Sequence, residues 1–388
     1  AMSKQPIEKV LIVSASIGTG HTQAARAIEE YWSQLNPNAV ITHIDFLETD
    51  TFSFDNLLKE TYIKMIDVFP MMYDMVYRLS KGERKGGLMQ TVLAWLLKSR
   101  MLKLINKEKP DVVIFTHPFP CGAACILKRQ NLIDVPLVAV ITDFAVHQFW
   151  IYKQVDAYYV GTEAMVSELV KSGIEPKRIK VTGIPVRRNF FTHQLTEYKI
   201  GSPVRALIMG GGLGLGCLEE ALRRLDEVKE LDELVVVTGR NTALYEALVD
   251  MRESMKTPTR IFGYTTEIPT LMRDAAILVT KPGALTCMEA VTVGIPMVFF
   301  SAIPGQEEAN ALLMEQKGCG RWARDIHNLD DVVTALLINP ERLGAMSDNE
   351  RNWHVDGAAN IVQSIRAHLM PSAEATASND KIVYDVVK

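Results

Sequence analysis

The chain has 388 residues, 48% of them apolar and 23% charged, with a formal net charge of −4. That composition excludes a disordered, collagenous or disulfide-stapled chain, and no apolar run reaches the roughly 18 residues of a membrane-spanning helix. The N-terminus lacks the basic-then-apolar pattern of a secretory signal, and the five scattered cysteines read as reduced thiols of a cytoplasmic protein, with no zinc set among them.

In chain order, EKVLIVSAS is a continuously apolar strand. GHTQAARAIEEYWSQL reads as a helix, with Ala24, Ala27, Ile28, Tyr31 and Leu35 near helical spacing. AVITHID is the next strand, and residues 55–79 and 88–106 read as two long helices. DVVIFTH, PLVAVITD and DAYYVG are short buried strands, EAMVSELVKSG is a helix with a glycine cap, and RIKVTGIPV closes this half. After the polar linker THQLTEYKIGSP the pattern restarts with VRALIMG, LEEALRRL, DELVVVTG, TRIFG, AAILVTK and GIPMVFF. Strands that are apolar throughout and alternate with helices make parallel sheets covered on both faces. The expected fold is α/β, with two doubly wound, Rossmann-like domains facing a cleft. They cover 1–195 and 196–353, followed by a helix over 354–370 that can cross back to the first domain and a polar, mobile tail over 371–388.

Each half has a glycine-rich turn behind its first strand. Gly18-Thr19-Gly20 is an incomplete dinucleotide fingerprint, because Gln23 stands at the third glycine position, although Asp45 ends the second strand where a ribose-binding acid would fall. His21 follows directly. A histidine in the first turn of a helix sits in the positive end of the helix dipole, which disfavours its protonation. Kept neutral, it can take a proton from an incoming hydroxyl, which is general-base work. The second turn, MGGGLGLG, holds Gly210, Gly211 and Gly212 and two further glycines. That is more glycine than a tight turn requires, and it suits close backbone approach to a diphosphate.

The densest stretch runs from Gly263 to Asn310. Together SIGTGH…AA, TDF…H…W, VTGIPV, MGGG, TKPGALTCMEA and PGQEEAN resemble the GT-B nucleotide-sugar transferases. Within them the chain is similar to the family of monogalactosyldiacylglycerol synthase, the processive diacylglycerol glucosyltransferases and the UDP-GlcNAc transferase that makes lipid II. The resemblance covers about residues 8–368 and favours the diacylglycerol branch. It implies an inverting transfer of a hexose from UDP-glucose or UDP-galactose to diacylglycerol, giving a glycosyldiacylglycerol.

On this chain the resemblance gives the second half to the donor. Gly210, Gly211, Gly212 and Gly283, with the N–H groups of Ala284, Leu285 and Thr286, face the diphosphate. Glu289 accepts from the ribose hydroxyls. Phe262, Gly263 and Tyr264 offer backbone to uracil, and Gln306 and Glu307 hold sugar hydroxyls. The first half faces the acceptor: Gly18 and Gly20 let it approach His21, and Asp143 orients that histidine or shares the base role. His117, His147 and Trp150 line the acceptor side, with Trp150 stacking on a sugar ring or the glycerol. No Asp-x-Asp pair stands at a plausible strand end, so no metal and no other cofactor is expected.

A lipid acceptor requires contact with a membrane. From Arg78 to Lys109 there are nine basic residues against two acidic ones, beside the apolar YIKMIDVFPMMYDMVY. Apolar residues beside a basic cluster suit an anionic membrane surface, so Arg84, Lys85, Lys98 and Arg100 are the expected membrane contacts, at the inner face of the cell membrane. Nucleic acid is excluded as a partner, because the basic residues form one local cluster rather than a stripe with stacking aromatics. A polyprenyl-lipid or soluble natural-product acceptor, an NAD-linked oxidoreductase and a non-catalytic UDP-sugar sensor remain as alternatives.

Overall fold

The computed structural model describes residues 7–15, 20–46, 86–210, 215–302 and 305–370. The expected helix over 55–79, Gly18, Gly211, Gly212, Arg84, Lys85 and the tail after Met370 lie outside these residues. Contacts divide the chain into two compact units, one ending at Arg187 and resuming at Asp356, the other Arg188–Val355.

In the first unit, β1 (Lys9–Ser14), α1 (Gly20–Leu35), β2 (Val40–Asp45), α2 (Gly86–Glu108), β3 (Val112–Phe115), α3 (Pro118–Arg129), β4 (Leu137–Val140), β5 (Ala157–Val160), α4 (Glu163–Lys171) and β6 (Ile179–Val181) follow one another. The strands form one parallel sheet in the order β2-β1-β3-β4-β5-β6. From Val10 to Ser14 every residue of β1 is buried, as a strand covered on both faces requires. The buried stripe of α1 is Ala24, Ala25, Ala27, Ile28 and Trp32. Leu35, expected on that stripe, is 42% exposed, because the turn carrying Trp32 already covers the sheet. Arg100 is a second departure. Expected at a membrane, it is 6% exposed, with its guanidinium 4.8 Å over the Phe46 ring.

The second unit opens with α5 (Arg188–Phe191) and continues through β7 (Arg205–Met209), α6 (Leu215–Leu225), β8 (Glu233–Val237), α7 (Thr242–Arg252), β9 (Thr259–Phe262), α8 (Ile268–Asp274), β10 (Ile277–Thr280), α9 (Ala284–Val293), β11 (Met297–Phe299), α10 (Gln306–Gln316), β12 (Gly320–Trp322), α11 (Leu329–Leu337) and α12 (Pro340–Trp353). Its parallel sheet has the order β12-β11-β10-β7-β8-β9. Residues 188–195 pack here, and the Leu195 N–H donates to the Val293 carbonyl at 2.8 Å. Within α12, Glu350 is fully buried, and neither carboxylate oxygen has a hydrogen-bond partner among the described residues. Burial drives its pKa well above 4.5, against a smaller downward pull from Arg351. The unfolded chain therefore releases this proton before the folded one, and stability falls as pH rises above about 4.5, by at most about 1.4 kcal/mol per pH unit. Glu350→Gln removes this dependence. The expected result is a Tm gain over wild type that is absent near pH 4.5 and grows as the pH is raised toward 8, read by thermal denaturation at several pH values.

The chain then returns to the first unit as α13 (Gly357–His368). Its Ile361, Val362 and Ile365 join Ile28 and Trp32 of α1 in one core. Glu8 is the polar clamp: it accepts from Trp32 Nε1–H at 2.8 Å and from Arg366 Nε–H at 2.9 Å. Gly357 allows the approach, because a Cβ there would lie 2.7 Å from the carbonyl oxygens of Gly183 and Ile184. Gly357→Ala should therefore cost about 1–3 kcal/mol of stability, seen as a lowered denaturation midpoint with UDP affinity retained.

Candidate active site

In a doubly wound sheet, ligands bind beyond the carboxyl ends of the strands where the winding direction reverses. The strand orders put those points between β1 and β3 in the first unit and between β7 and β10 in the second.

At the first, the ends of β1, β3 and β4 lie side by side, and α1 begins over them. His21 stands in the first turn of α1. Its Nδ1 lies 2.7 Å from the Thr116 carbonyl oxygen and 3.0 Å from Thr142 Oγ1. A carbonyl can only accept, so Nδ1 carries the proton and Nε2 keeps its lone pair. Thr116 returns the contact, its hydroxyl donating to the His21 carbonyl at 2.8 Å. Burial pushes the imidazole below its ordinary pKa, opposed in part by the bond to Thr116. The result is a neutral histidine in a defined tautomer, whose Nε2 carries a lone pair with no hydrogen-bond partner among the described residues.

His117 packs edge-on against it, with ring centroids 4.8 Å apart. It is 1% exposed and caps α3, its Nδ1 accepting from the Phe119 N–H at 3.2 Å. Burial first, and the proximity of His21 second, hold it well below the ordinary pKa, so both rings are neutral at pH 7. Asp143, expected to orient His21, follows Thr142 directly and accepts from the Phe144 N–H at 2.8 Å. The oxygens that hold His21 Nδ1 belong to Thr116 and Thr142, two residues the sequence reading passed over. Threonine at a strand end is too common to single out, and only the strand order brings these two together.

His147 caps a short turn, accepting from the Phe149 N–H at 3.3 Å, and burial lowers its pKa to about 4. Trp150 corrects an expectation. Its indole is 4% exposed and packs in the first unit's core, so it presents no ring face for a sugar.

The second switch point is built from backbone. After β7, Gly210 packs so closely that an added Cβ would meet Phe300 Cζ at 3.3 Å. After β10, Lys281-Pro282-Gly283 turns into α9. Gly283 has an ordinary φ of −68°, and a Cβ there would meet nothing within 4 Å. No side chain caps α9. The first hydrogen bond closing a turn of this helix runs from the Cys287 N–H to the Gly283 carbonyl, 2.9 Å, which leaves the N–H groups of Ala284, Leu285 and Thr286 without intrahelical acceptors. Buried Asn310 donates from Nδ2 to the Pro282 carbonyl at 3.0 Å, tying the start of α10, with half-buried Gln306 and Glu307, to this turn. Glu289 is half-buried on α9. At the end of β9, the Phe262 carbonyl already accepts from the Thr238 N–H and hydroxyl at 2.9 and 3.2 Å. Gly263 and Tyr264 follow, and Tyr264 is 59% exposed under the Arg240 guanidinium, 4.7 Å from its ring.

Among the described residues no group of three His, Cys, Asp or Glu is arranged to hold a metal ion, and no helix is long and apolar enough to cross a membrane.

Residues 21–186 match the monogalactosyldiacylglycerol synthase family model, and residues 205–365 match the glycosyltransferase family 28 C-terminal domain. A processive diacylglycerol β-glucosyltransferase of Bacillus cereus is 33% identical over 96% of this chain and 96% of its own. Among solved structures, Acinetobacter baumannii MurG (TM-score 0.60, 16% identity, 93% of this chain and 99% of its own) and a UDP complex of Staphylococcus aureus MnaA (0.62, 14%, 94% and 97%) share the two-domain GT-B fold. With a basic histidine at one switch point, an uncapped helix N-terminus at the other and a curated relative matched from end to end, the chain belongs to the monogalactosyldiacylglycerol synthase and processive diacylglycerol glucosyltransferase family of GT-B enzymes.

Proposed function

We propose that this protein is an inverting glycosyltransferase that moves glucose from UDP-glucose to diacylglycerol at a membrane surface. The observation that carries the reading is His21, neutral and with its Nε2 lone pair free, in a chain whose curated relatives are named for β-glucosyl transfer to diacylglycerol.

The acceptor hydroxyl gives its proton to His21 Nε2 as its oxygen forms a bond to the anomeric carbon. The bond from that carbon to the diphosphate breaks, and UDP leaves with the electron pair. Attack from the opposite face inverts the centre, so an α-linked donor yields a β-glycoside. Negative charge grows on the diphosphate, where the free N–H groups of Ala284, Leu285 and Thr286 are already aimed and need no reorganisation. Glu289 is assigned to the ribose hydroxyls, Gly263 and Tyr264 to uracil, and Gln306 and Glu307 to the sugar. Asp143 is assigned to the acceptor side, next to the base, with His117 and His147. An anionic surface attracts the basic stretch around α2. Lys98, half-buried and donating to Gln130 Oε1 at 3.1 Å, is the described residue assigned to it, and Arg84 and Lys85 complete the set; Arg100, buried on Phe46, is not part of it.

The test is incubation with diacylglycerol in anionic or zwitterionic vesicles and radiolabelled UDP-glucose or UDP-galactose. The expected result is label in the organic phase, from UDP-glucose, and more of it with anionic vesicles. Tight UDP binding with no lipid label overturns the acceptor; equal label from both vesicle types overturns the anionic surface.

A further inference from the structure

The oxygen beside Asp143 raises a question about what holds the base. In a histidine base oriented by a carboxylate, the carboxylate accepts Nδ1–H and gains strength as the ring becomes charged. Here the positions around His21 Nδ1 are filled by two neutral oxygens, one from backbone and one from a hydroxyl. The Thr116 carbonyl comes with the end of β3 and is present whatever the side chain. Thr142 Oγ1 is the one side-chain atom hydrogen-bonded to this imidazole among the described residues.

We infer that Thr142 is a positioning residue for the transfer reaction, its hydroxyl sharing the Nδ1 proton of His21 and fixing the ring so that Nε2 faces the acceptor. The inference deepens the proposed function and rests on His21 being its base.

The geometry supports it in three ways. Thr142 is 8% exposed at the end of β4, so its hydroxyl sits out of competition with bulk water. Thr116 and Thr142 come from neighbouring strands and reach the same nitrogen, which restrains rotation about the ring's bond to Cβ; either oxygen alone would leave more freedom. As Nε2 takes the acceptor proton, the ring becomes positive and Nδ1–H becomes a stronger donor. Two acceptors at 2.7 and 3.0 Å then share that charge, and charge-assisted bonds are roughly twice as strong as neutral ones. Neutral partners also leave the base weakly basic at rest, since no carboxylate holds a proton on it. His117 does not substitute for Thr142: its Nδ1 is committed to the Phe119 N–H.

Thr142→Val keeps the shape and removes the hydroxyl; Thr142→Ser keeps the hydroxyl. The expected result is that Thr142→Val lowers kcat by about tenfold, the loss of one hydrogen bond to a charging group, with KM for UDP-glucose unchanged, and that Thr142→Ser restores most of it. Nitrogen-15 NMR of histidine-labelled protein supplies a readout independent of turnover. Wild type should show His21 as the Nδ1–H tautomer with a narrow ring signal, and Thr142→Val the same tautomer, held by the Thr116 carbonyl, with ring signals broadened by the freed rotation. Wild-type transfer with full activity in Thr142→Val overturns the positioning role. So does equal loss in both variants together with a raised donor KM, which marks a structural defect. If Thr142→Val does not fold, a wild-type spectrum with the Nε2–H tautomer overturns it equally. Absence of transfer by wild type, with the expected tautomer, instead fails the proposed function and leaves the ring geometry standing.

Discussion

Replacing His21 by alanine is expected to lower kcat by about 10²–10⁴-fold, the range a positioned general base supplies. KM for UDP-glucose should change by less than about twofold, because the proposed donor site is in the other unit and an interaction made only in the transition state moves kcat alone. The same ring predicts the pH profile. The base must be neutral, and burial pushes its pKa below 6.5, so kcat is level from about pH 6.5 upward. Below the depressed pKa it falls tenfold for each pH unit, as the imidazolium can no longer accept a proton. The titratable neighbour facing the ring, His117, is itself held neutral by burial and adds no charge until more acid conditions. Steady-state kinetics between pH 4.5 and 8, with donor varied through its KM and lipid saturating, read both predictions. An acid limb centred above pH 6.5 would require an anionic partner that stabilises the imidazolium, and the neutral clamp would then be the wrong description. A kcat within threefold of wild type in His21→Ala would remove this ring from the chemistry.

The architecture was written in local pattern to a degree the site was not. VLIV, VVIF, LVAV and LVVV are apolar at every position, and each became a central strand buried on both faces, because only a doubly covered strand removes the need for alternation. His21 was visible because a helix start fixes its dipole environment from sequence alone. Its partners were not. Thr116 and Thr142 lie far from His21 in sequence and meet it only because β1, β3 and β4 are ordered as they are; strand order is a long-range property. Charge and aromatic character misled in two places for one reason. Arg100 and Trp150 were read as surface ligands from residue type, yet a guanidinium can lie on a phenyl ring and an indole can fill a core. Thr142 in place of Asp143 is the subtler case: adjacent residues at a strand end point in different directions, and the pattern TD does not say which one meets the ring.

Gly283→Val should raise KM for UDP-glucose by tenfold or more, about 1.4 kcal/mol or above, while the protein stays folded. The Gly283 φ of −68° suits any L-residue, and an added Cβ meets no atom within 4 Å, so neither backbone strain nor packing demands glycine. Among the described residues the internal cost seen at the Cβ is a poorer helix N-cap, about 1 kcal/mol, which lowers Tm by a few degrees in a unit of this size. What a side chain would occupy is the space in front of the free N–H groups of α9, where a diphosphate oxygen must come to within about 3 Å to be bound. Gly357 is the internal contrast: there the Cβ would strike two carbonyl oxygens, so the protein alone accounts for the glycine, and its alanine variant loses stability and keeps the donor. UDP titration by calorimetry beside a melting curve separates the two kinds of glycine. Donor affinity that survives in Gly283→Val would place the diphosphate away from α9, whereas lost affinity with a preserved melt means that the open space before this helix is kept clear for the ligand.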